Sequence, residues 1–389
     1  MLNFIPYGRQ SISDEDVAAV VDVLKSDFLT QGPAIERFES AIAERSGAAH
    51  AVAVNSATSA LHIACAALGL GPGDVLWTTP VTFVASANCA RYLGADVDFV
   101  DIDPVSWNMS PVALEAKLAT AKVAGCLPKV IVPVHLSGEP CDMAAIANLA
   151  RNYGIHIIED ASHAIGAVYD GQPVGAGKHS DITVFSFHPV KIITSAEGGM
   201  AVTNDPAMAR KMQLLRSHGI TRDPELMTHS ADGPWYYQQI ELGWNYRITD
   251  VQAALGLSQL ARLDDFLLRR HAIAERYDQM LADLPIQLPA RAPESYSALH
   301  LYIVRVPKVD GIASHLEVFE RLRAVGIGVN LHYIPVHLQP YYQALGFSRG
   351  MFPEAEAYYA EALSLPMFPD LSDADQNRVV AALRAALTP

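Results

Sequence analysis

The chain has 389 residues, half of them apolar and 18% charged, which suits a sizeable core and argues against wholesale disorder. Its formal charge of −14 argues against nucleic acid and anionic membranes as partners, while still allowing an anionic ligand at local positive ends such as helix N-termini. Cys65, Cys89, Cys126 and Cys141 show no C-x-x-C spacing, Met1 to Pro6 has no basic-then-apolar pattern, and no apolar run reaches membrane length, so a cytoplasmic protein with reduced thiols and no metal site is expected.

In chain order, Ser13 with Asp14, Glu15 and Asp16 behind it predicts a capped helix to about Lys25. Ala51 to Val54 reads as a strand leading through a turn into an Ala-rich helix that ends near Leu68. Short apolar runs follow at Val75–Thr78, Val97–Val100, Val130–Val134, Ile155–Ile158, Ile182–Phe187 and Met200–Thr203. Helical stretches lie between them, among them Val84–Leu93, Pro111–Leu118 and Met143–Tyr153. That rhythm predicts an α/β fold, a mostly parallel central sheet sandwiched by helices. From Asp250 one long helix is expected to about Leu281, then a smaller α+β region with strands Leu299–Val306 and Gly328–Leu331, helix Leu316–Ala324, and a last helix from Ser372 to Leu387. The domain change is expected inside the long helix, giving a large domain over 1–258, with an N-terminal arm 1–12, and a small domain over 259–389.

Chemistry concentrates at the ends of three predicted strands. Asn55-Ser56-Ala57-Thr58-Ser59-Ala60-Leu61 offers free N–H groups and hydroxyls at a helix N-terminus, where a phosphate binds without a cation; taken alone it reads as an ordinary Ser/Thr cap. Asp160 ends a strand that reads as buried on both faces, so its carboxylate needs a hydrogen-bond network or a cationic partner. His163, three residues on, either caps a bound ring or fills the loop. Lys191 follows Phe185-Ser186-Phe187-His188-Pro189-Val190 and precedes Glu197-Gly198-Gly199; a lysine able to form an imine, paired with a strand-end aspartate, is what pyridoxal phosphate (PLP) requires. Ser186 is placed to add a phosphate hydrogen bond, and Phe83 to stack on the pyridine ring. There is no G-x-S-x-G, H-E-x-x-H, Walker loop or helix-opening G-x-G-x-x-G.

Taken together, these segments resemble the PLP-dependent sugar-nucleotide aminotransferases of the DegT/StrS type, fold-type I enzymes, over essentially the whole chain. Further segments, Ile5 to Gln10, Asp27 to Gly32, Leu331 to Val336 and Leu363 to Met367, resemble the branch of pseudaminic acid biosynthesis. The resemblance implies that Lys191 carries the cofactor as a Schiff base and acts as acid and base, and that Asp160 pairs with the pyridinium nitrogen. It assigns Ala57, Thr58, Ser59 and Ser186 to the phosphate, with Phe83 and His163 at the ring. Asn245 would reach the phosphate of a neighbouring subunit in a homodimer whose sites lie at the interface. Tyr7, Asp27, Phe28, Leu29, Thr30, His332, Tyr333, Ile334 and Pro335 match positions that contact the nucleotide sugar. The implied reaction moves an amine from L-glutamate to carbon 4 of a UDP-linked 4-keto-6-deoxy-N-acetylhexosamine, giving UDP-4-amino-4,6-dideoxy-N-acetyl-β-L-altrosamine and 2-oxoglutarate. Rival expectations are a dTDP- or GDP-linked keto sugar, a PLP-dependent sugar dehydratase, against which Lys191 speaks because that enzyme has histidine there, and a non-enzymatic regulator of the same fold.

Overall fold

Apolar runs flanked by helices require a sheet covered on both faces, and a computed structural model, which describes residues 4–388, has that architecture. Its central strands are β1 (His50–Val54), β2 (Val75–Thr78), β3 (Asp96–Phe99), β4 (Val130–Val132), β5 (His156–Asp160), β6 (Ile182–Ser186) and β7 (Gly199–Thr203). They lie in the order β1-β7-β6-β5-β4-β2-β3. Neighbours from β3 through β6 pair in parallel, and β7 alone is antiparallel, to both β1 and β6.

Alternate residues of each strand meet different helices. Val52 and Val54 of β1, with Ile182 and Val184 of β6, face α3 (Ala57–Ala67), α4 (Ala85–Arg91) and α7 (Pro206–Leu215). Ala51 and Ala53, with Phe185, Met200 and Val202, face α2 (Pro33–Ser46) and α8 (Asp250–Leu260), while Trp77, Ile131 and Ile157 face α5 (Pro111–Ala124) and α6 (Met143–Arg151). Each large aliphatic side chain buried this way contributes about 1.5–3 kcal/mol. A separate cluster joins Ile5 to α9 (Leu263–Leu281), the antiparallel pair Tyr302–Arg305 and Ala362–Leu365, and the last helix Asp373–Leu387.

Two expectations are corrected. The long helix is two, α8 and α9, because Arg262 leaves helical geometry (φ −102°, ψ 6°) at the junction. The apolar spacing runs through the break, so no Gly or Pro marks it; the cause is tertiary. Arg262 turns its guanidinium to Asp16, a buried carboxylate that also accepts from Ser258 Oγ (2.6 Å), Gln259 Nε2 (2.6 Å) and the Ser13 amide (2.9 Å). Gly328 to Leu331 makes a single bridge, Asn330 to Ser364, because Gly328 N donates instead to Ile5 O of the N-terminal arm (2.6 Å). Helices α2, α7 and Pro353–Glu361 went unread although each opens on proline at its first turn, and α2 ends on Gly47 at φ +71°.

Burial pushes the Asp16 carboxyl up, but hydrogen bonds from Ser258, the Ser13 amide and Gln259, with Arg262 beside it, hold it below the usual carboxylate range. Asp16→Asn leaves Arg262 without its anion and lowers stability by about 2 kcal/mol, discounted for the part-open arginine from the 3–5 kcal/mol typical of broken buried pairs. Urea unfolding reads this as a lower midpoint at unchanged slope. A depressed folded pKa gives stability that is full above the unfolded value and lost as pH falls through the folded one, so the difference between wild type and variant narrows in acid.

Candidate active site

The parallel strands deliver their chemistry at their carboxyl ends, where open α/β sheets bind ligands. There β1 runs into Asn55 and the start of α3, β5 ends on Asp160, and β6 ends on Ser186. Because β7 is antiparallel, its first residue, Gly199, pairs with both Val54 and Ser186 at this edge. A Cβ on Gly199 would lie 2.5 Å from Ala57 N, so only glycine lets the strand pass beneath the helix start.

Ser56 caps α3 by accepting from Ser59 N (3.1 Å), and Ser59 Oγ donates to Asn55 Oδ1 (2.7 Å). The amides of Ala57 and Thr58 precede the first helical hydrogen bond, which runs from Ala60 N to Ser56 O. The hydroxyls of Thr58 and Ser186 line the cavity described below and have no hydrogen-bond partner among the described residues. Free amides plus two unpaired hydroxyls make a cradle for a phosphate.

Asp160 is buried and fully engaged: Ser86 Oγ donates to Oδ2 (2.6 Å), and Ser162 donates to Oδ1 from its hydroxyl (2.6 Å) and amide (3.1 Å). Three donors therefore surround the carboxylate. Lys191 sits in the turn after β6, its amide on His188 O (2.9 Å), in a loop closed at its base by Phe187 N to Gly198 O (2.9 Å). Its ammonium makes no hydrogen bond or ion pair among the described residues. Burial pushes it down to about 8, Asp160 pulling the other way, so a neutral amine becomes abundant as pH rises through that value.

Asp160, Lys191, Ala57, Thr58, Ser59, Phe83, His163, Ser186, Tyr7, His332 and Tyr333 all line one cavity of about 910 Å³. Tyr7, Asn330, His332 and Tyr333 give the cavity a neutral, hydrogen-bonding wall. Tyr7 arrives on the N-terminal arm, tied by Met367 N to its carbonyl (2.9 Å), and its ring packs on His332 with centroids 5.1 Å apart. Burial and the charge on Lys191 bring His332 down to about 3, so it is a neutral donor and acceptor, paired with Ser364 Oγ (2.7 Å) and Asn330 Nδ2 (3.4 Å). Phe83 is 58% exposed and forms an edge of the cavity, its ring 6.3 Å from that of Tyr333.

The remaining sequence candidates lie outside this cavity. Ile334 is exposed and Pro335 is buried; the chain beyond them is held by Val336 N to Pro80 O (2.8 Å). Asp27, Phe28, Leu29 and Thr30 form the approach to α2, with Leu29 O accepting from Asp250 N (3.0 Å) and Thr30 bridging Thr249. Asn245 bridges Ser217, and Ser217, Arg247 and Gly32 line a second concavity of about 670 Å³. So Asn245 and the Asp27–Thr30 segment border a shared second face of the chain. Sequence reasoning missed Ser86, Ser162, Asn330 and His300, all of which line the cavity or touch Asp160. Ser162 alone had a local signal, beside Asp160; the others come from distant segments. No arginine lines the cavity among the described residues.

The residues fit PLP: a phosphate cradle, a buried carboxylate for the ring nitrogen and an unpaired lysine share one enclosure. The sequence profile of the DegT/DnrJ/EryC1/StrS aminotransferase family matches residues 10–384. The spore coat polysaccharide biosynthesis protein SpsC of Bacillus subtilis is 39% identical over 385 residues, covering 98% of this chain and 97% of that protein. Among solved structures, Helicobacter pylori PseC, an aminotransferase involved in the biosynthesis of pseudoaminic acid, matches with a TM-score of 0.90 and 31% identity over 99% of both chains. Spr1654 of Streptococcus pneumoniae, solved in a PLP form, matches with a TM-score of 0.87 and 31% identity over 98% of both chains.

Borohydride is expected to fix PLP to the wild-type chain and to leave none fixed on Lys191→Ala, read by the mass of the intact protein; a fixed adduct on the variant would place the attachment elsewhere.

Proposed function

We propose a function from one premise: the chain belongs to the DegT/DnrJ/EryC1/StrS aminotransferase family and is a PLP-dependent sugar aminotransferase of fold type I. Its substrate is a UDP-linked 4-keto-6-deoxy-N-acetylhexosamine, aminated at carbon 4 with L-glutamate as donor, as in pseudaminic acid synthesis. One observation carries this choice: the sugar-facing wall of the cavity is built from Tyr7, His332 and Tyr333 with no charged side chain among them, over a backbone that superposes on PseC with a TM-score of 0.90. Neutral donors and acceptors suit a polyhydroxylated, N-acetylated ring.

When bound, PLP supplies an electron sink for negative charge developing at the carbon that carries the amine. The chain's residues do the rest. Thr58, Ser186 and the amides of Ala57 and Thr58 would hold the phosphate, and the Asp160 carboxylate, fixed by Ser86 and Ser162, would pair with the ring nitrogen. Phe83 would cover one ring face. Lys191 Nζ is placed to take the proton from the donor's α-carbon and, in the second half-reaction, to deliver one to carbon 4 of the sugar; near pH 8 the amine exists in both forms, as a group that gives and takes protons must.

Arg247 lines the second concavity together with Gly32, which follows the Asp27–Thr30 segment, and Ser217, which bridges Asn245, and we assign that face to a second copy of the chain, so that each site is completed by its partner. A second reading, another nucleotide-linked keto sugar such as a dTDP or GDP derivative, draws on the higher identity to SpsC, a protein named for spore coat polysaccharide.

With glutamate and a panel of UDP-, dTDP- and GDP-linked 4-keto sugars, the UDP-N-acetyl substrate should give the aminated product at least about tenfold faster than the others, by kcat/KM and product mass. Turnover confined to a dTDP or GDP sugar would overturn the choice of sugar and leave the chemistry of Lys191 intact.

A further inference from the structure

Beside the Asp160–Lys191 pair, three hydrogen-bonding groups are lined up in one direction. The Ser137 amide donates to His163 Nδ1 (3.3 Å), and His163 Nε2 lies 3.1 Å from Tyr333 Oη. A neutral imidazole that accepts at Nδ1 carries its proton on Nε2, so it donates to the Tyr333 oxygen. The Tyr333 hydroxyl proton then has no acceptor among the described residues, and the side chain lines the cavity.

This alignment is built, not incidental. Ser137 takes φ +59°, and Gly138 passes so close to His163 that a Cβ there would lie 2.9 Å from His163 O. Leu301 N holds Ser137 O (3.2 Å) and Ala298 N holds Gly138 O (3.0 Å). The His300 ring rests on His163 with centroids 4.4 Å apart. The charges around the relay oppose its ionisation. Burial, with Lys191 and His332 beside it, keeps His163 well below the usual histidine range; burial, with His163, Lys191, Arg270 and His332, does the same for His300. Burial, then Asp160 and Tyr7, raise the Tyr333 phenol. Each group therefore keeps its proton, and the direction of the relay is fixed.

We propose that Tyr333 donates its hydroxyl proton in a hydrogen bond to an acceptor oxygen of the ring bound in this cavity, and that His163 is the positioning residue that aims it. Two oxygens have this chemistry: the phenolate of PLP and an oxygen of the sugar. Tyr333 and His163 line the same cavity as Asp160 and Lys191, the two groups that grip the cofactor, which favours the phenolate. A donor there draws charge off the phenolate and loosens the proton on the nitrogen joined to Lys191. The proposal rests on Lys191 as the attachment point.

The test is a pH titration of the visible absorbance of holoprotein without sugar, after borohydride has shown cofactor fixed to each variant. Tyr333→Phe should raise the midpoint by about one pH unit, the size of one charge-assisted hydrogen bond. His163→Leu should raise it equally, the double variant no further, and His163→Gln, whose amide accepts and donates at similar spacing, should restore it. A Tyr333→Phe midpoint equal to wild type overturns the phenolate assignment; if KM for the sugar then rises with kcat little changed, the oxygen is the sugar's. A shift in His163→Leu without one in Tyr333→Phe overturns the relay, because His163 would then act directly. Failure of borohydride fixation in wild type would instead strike at Lys191.

Discussion

A lysine side chain removed from water, with one carboxylate near it and no hydrogen bond, is an expensive thing to build. Desolvation disfavours the ammonium, and the cavity supplies only Asp160 to offset it. The neighbours that complete the enclosure, His163, His300 and His332, are all neutral for the same reason, each held so by burial and by Lys191 itself. The result is an amine whose two protonation states are close in free energy, which is what imine formation and proton transfer at carbon both need. Other parts of the site follow from keeping that amine dry and facing a ring.

The sheet solves the positioning problem with one reversed strand. Because β7 runs against its neighbours, its glycine start lies under the phosphate turn and next to the end of β6, bringing anchor, turn and lysine loop within a few residues of one another. The N-terminal arm then ties the C-terminal cluster to the cavity, Ile5 belonging to the cluster and Tyr7 lining the cavity, and Asp16, on the helix that follows, locks the junction of α8 and α9. Asp160, Ser186 and the turn before α3 come from strand ends, whereas Tyr7 and the segment from Asn330 to Tyr333 bring the neutral hydrogen-bonding wall of the cavity.

This division explains what could be read in the sequence. Lys191, Asp160 and the turn at Ala57 to Ser59 announce themselves locally, since a strand that ends on a charged or hydroxyl-rich turn is unusual within a few residues of chain. Ser86, Asn330 and His300 do not, because their partners are 74, 2 and, through ring contact with His163, 137 positions away, and even the short separation depends on a bend no residue pattern records. The break at Arg262 was hidden for a related reason: its apolar spacing satisfies one continuous helix, and only the distant Asp16 gives the arginine cause to leave it. Proline-opened helices α2 and α7 were legible and passed over.

The central claim is that the enclosure lowers the affinity of Lys191 for its proton. Cofactor-free protein treated briefly with a small acylating reagent over a pH series, with the Lys191 peptide followed by mass spectrometry, gives that affinity directly. A modification rate with its midpoint near pH 8 agrees with the account. A midpoint near the ordinary lysine value of about 10.4 would contradict it.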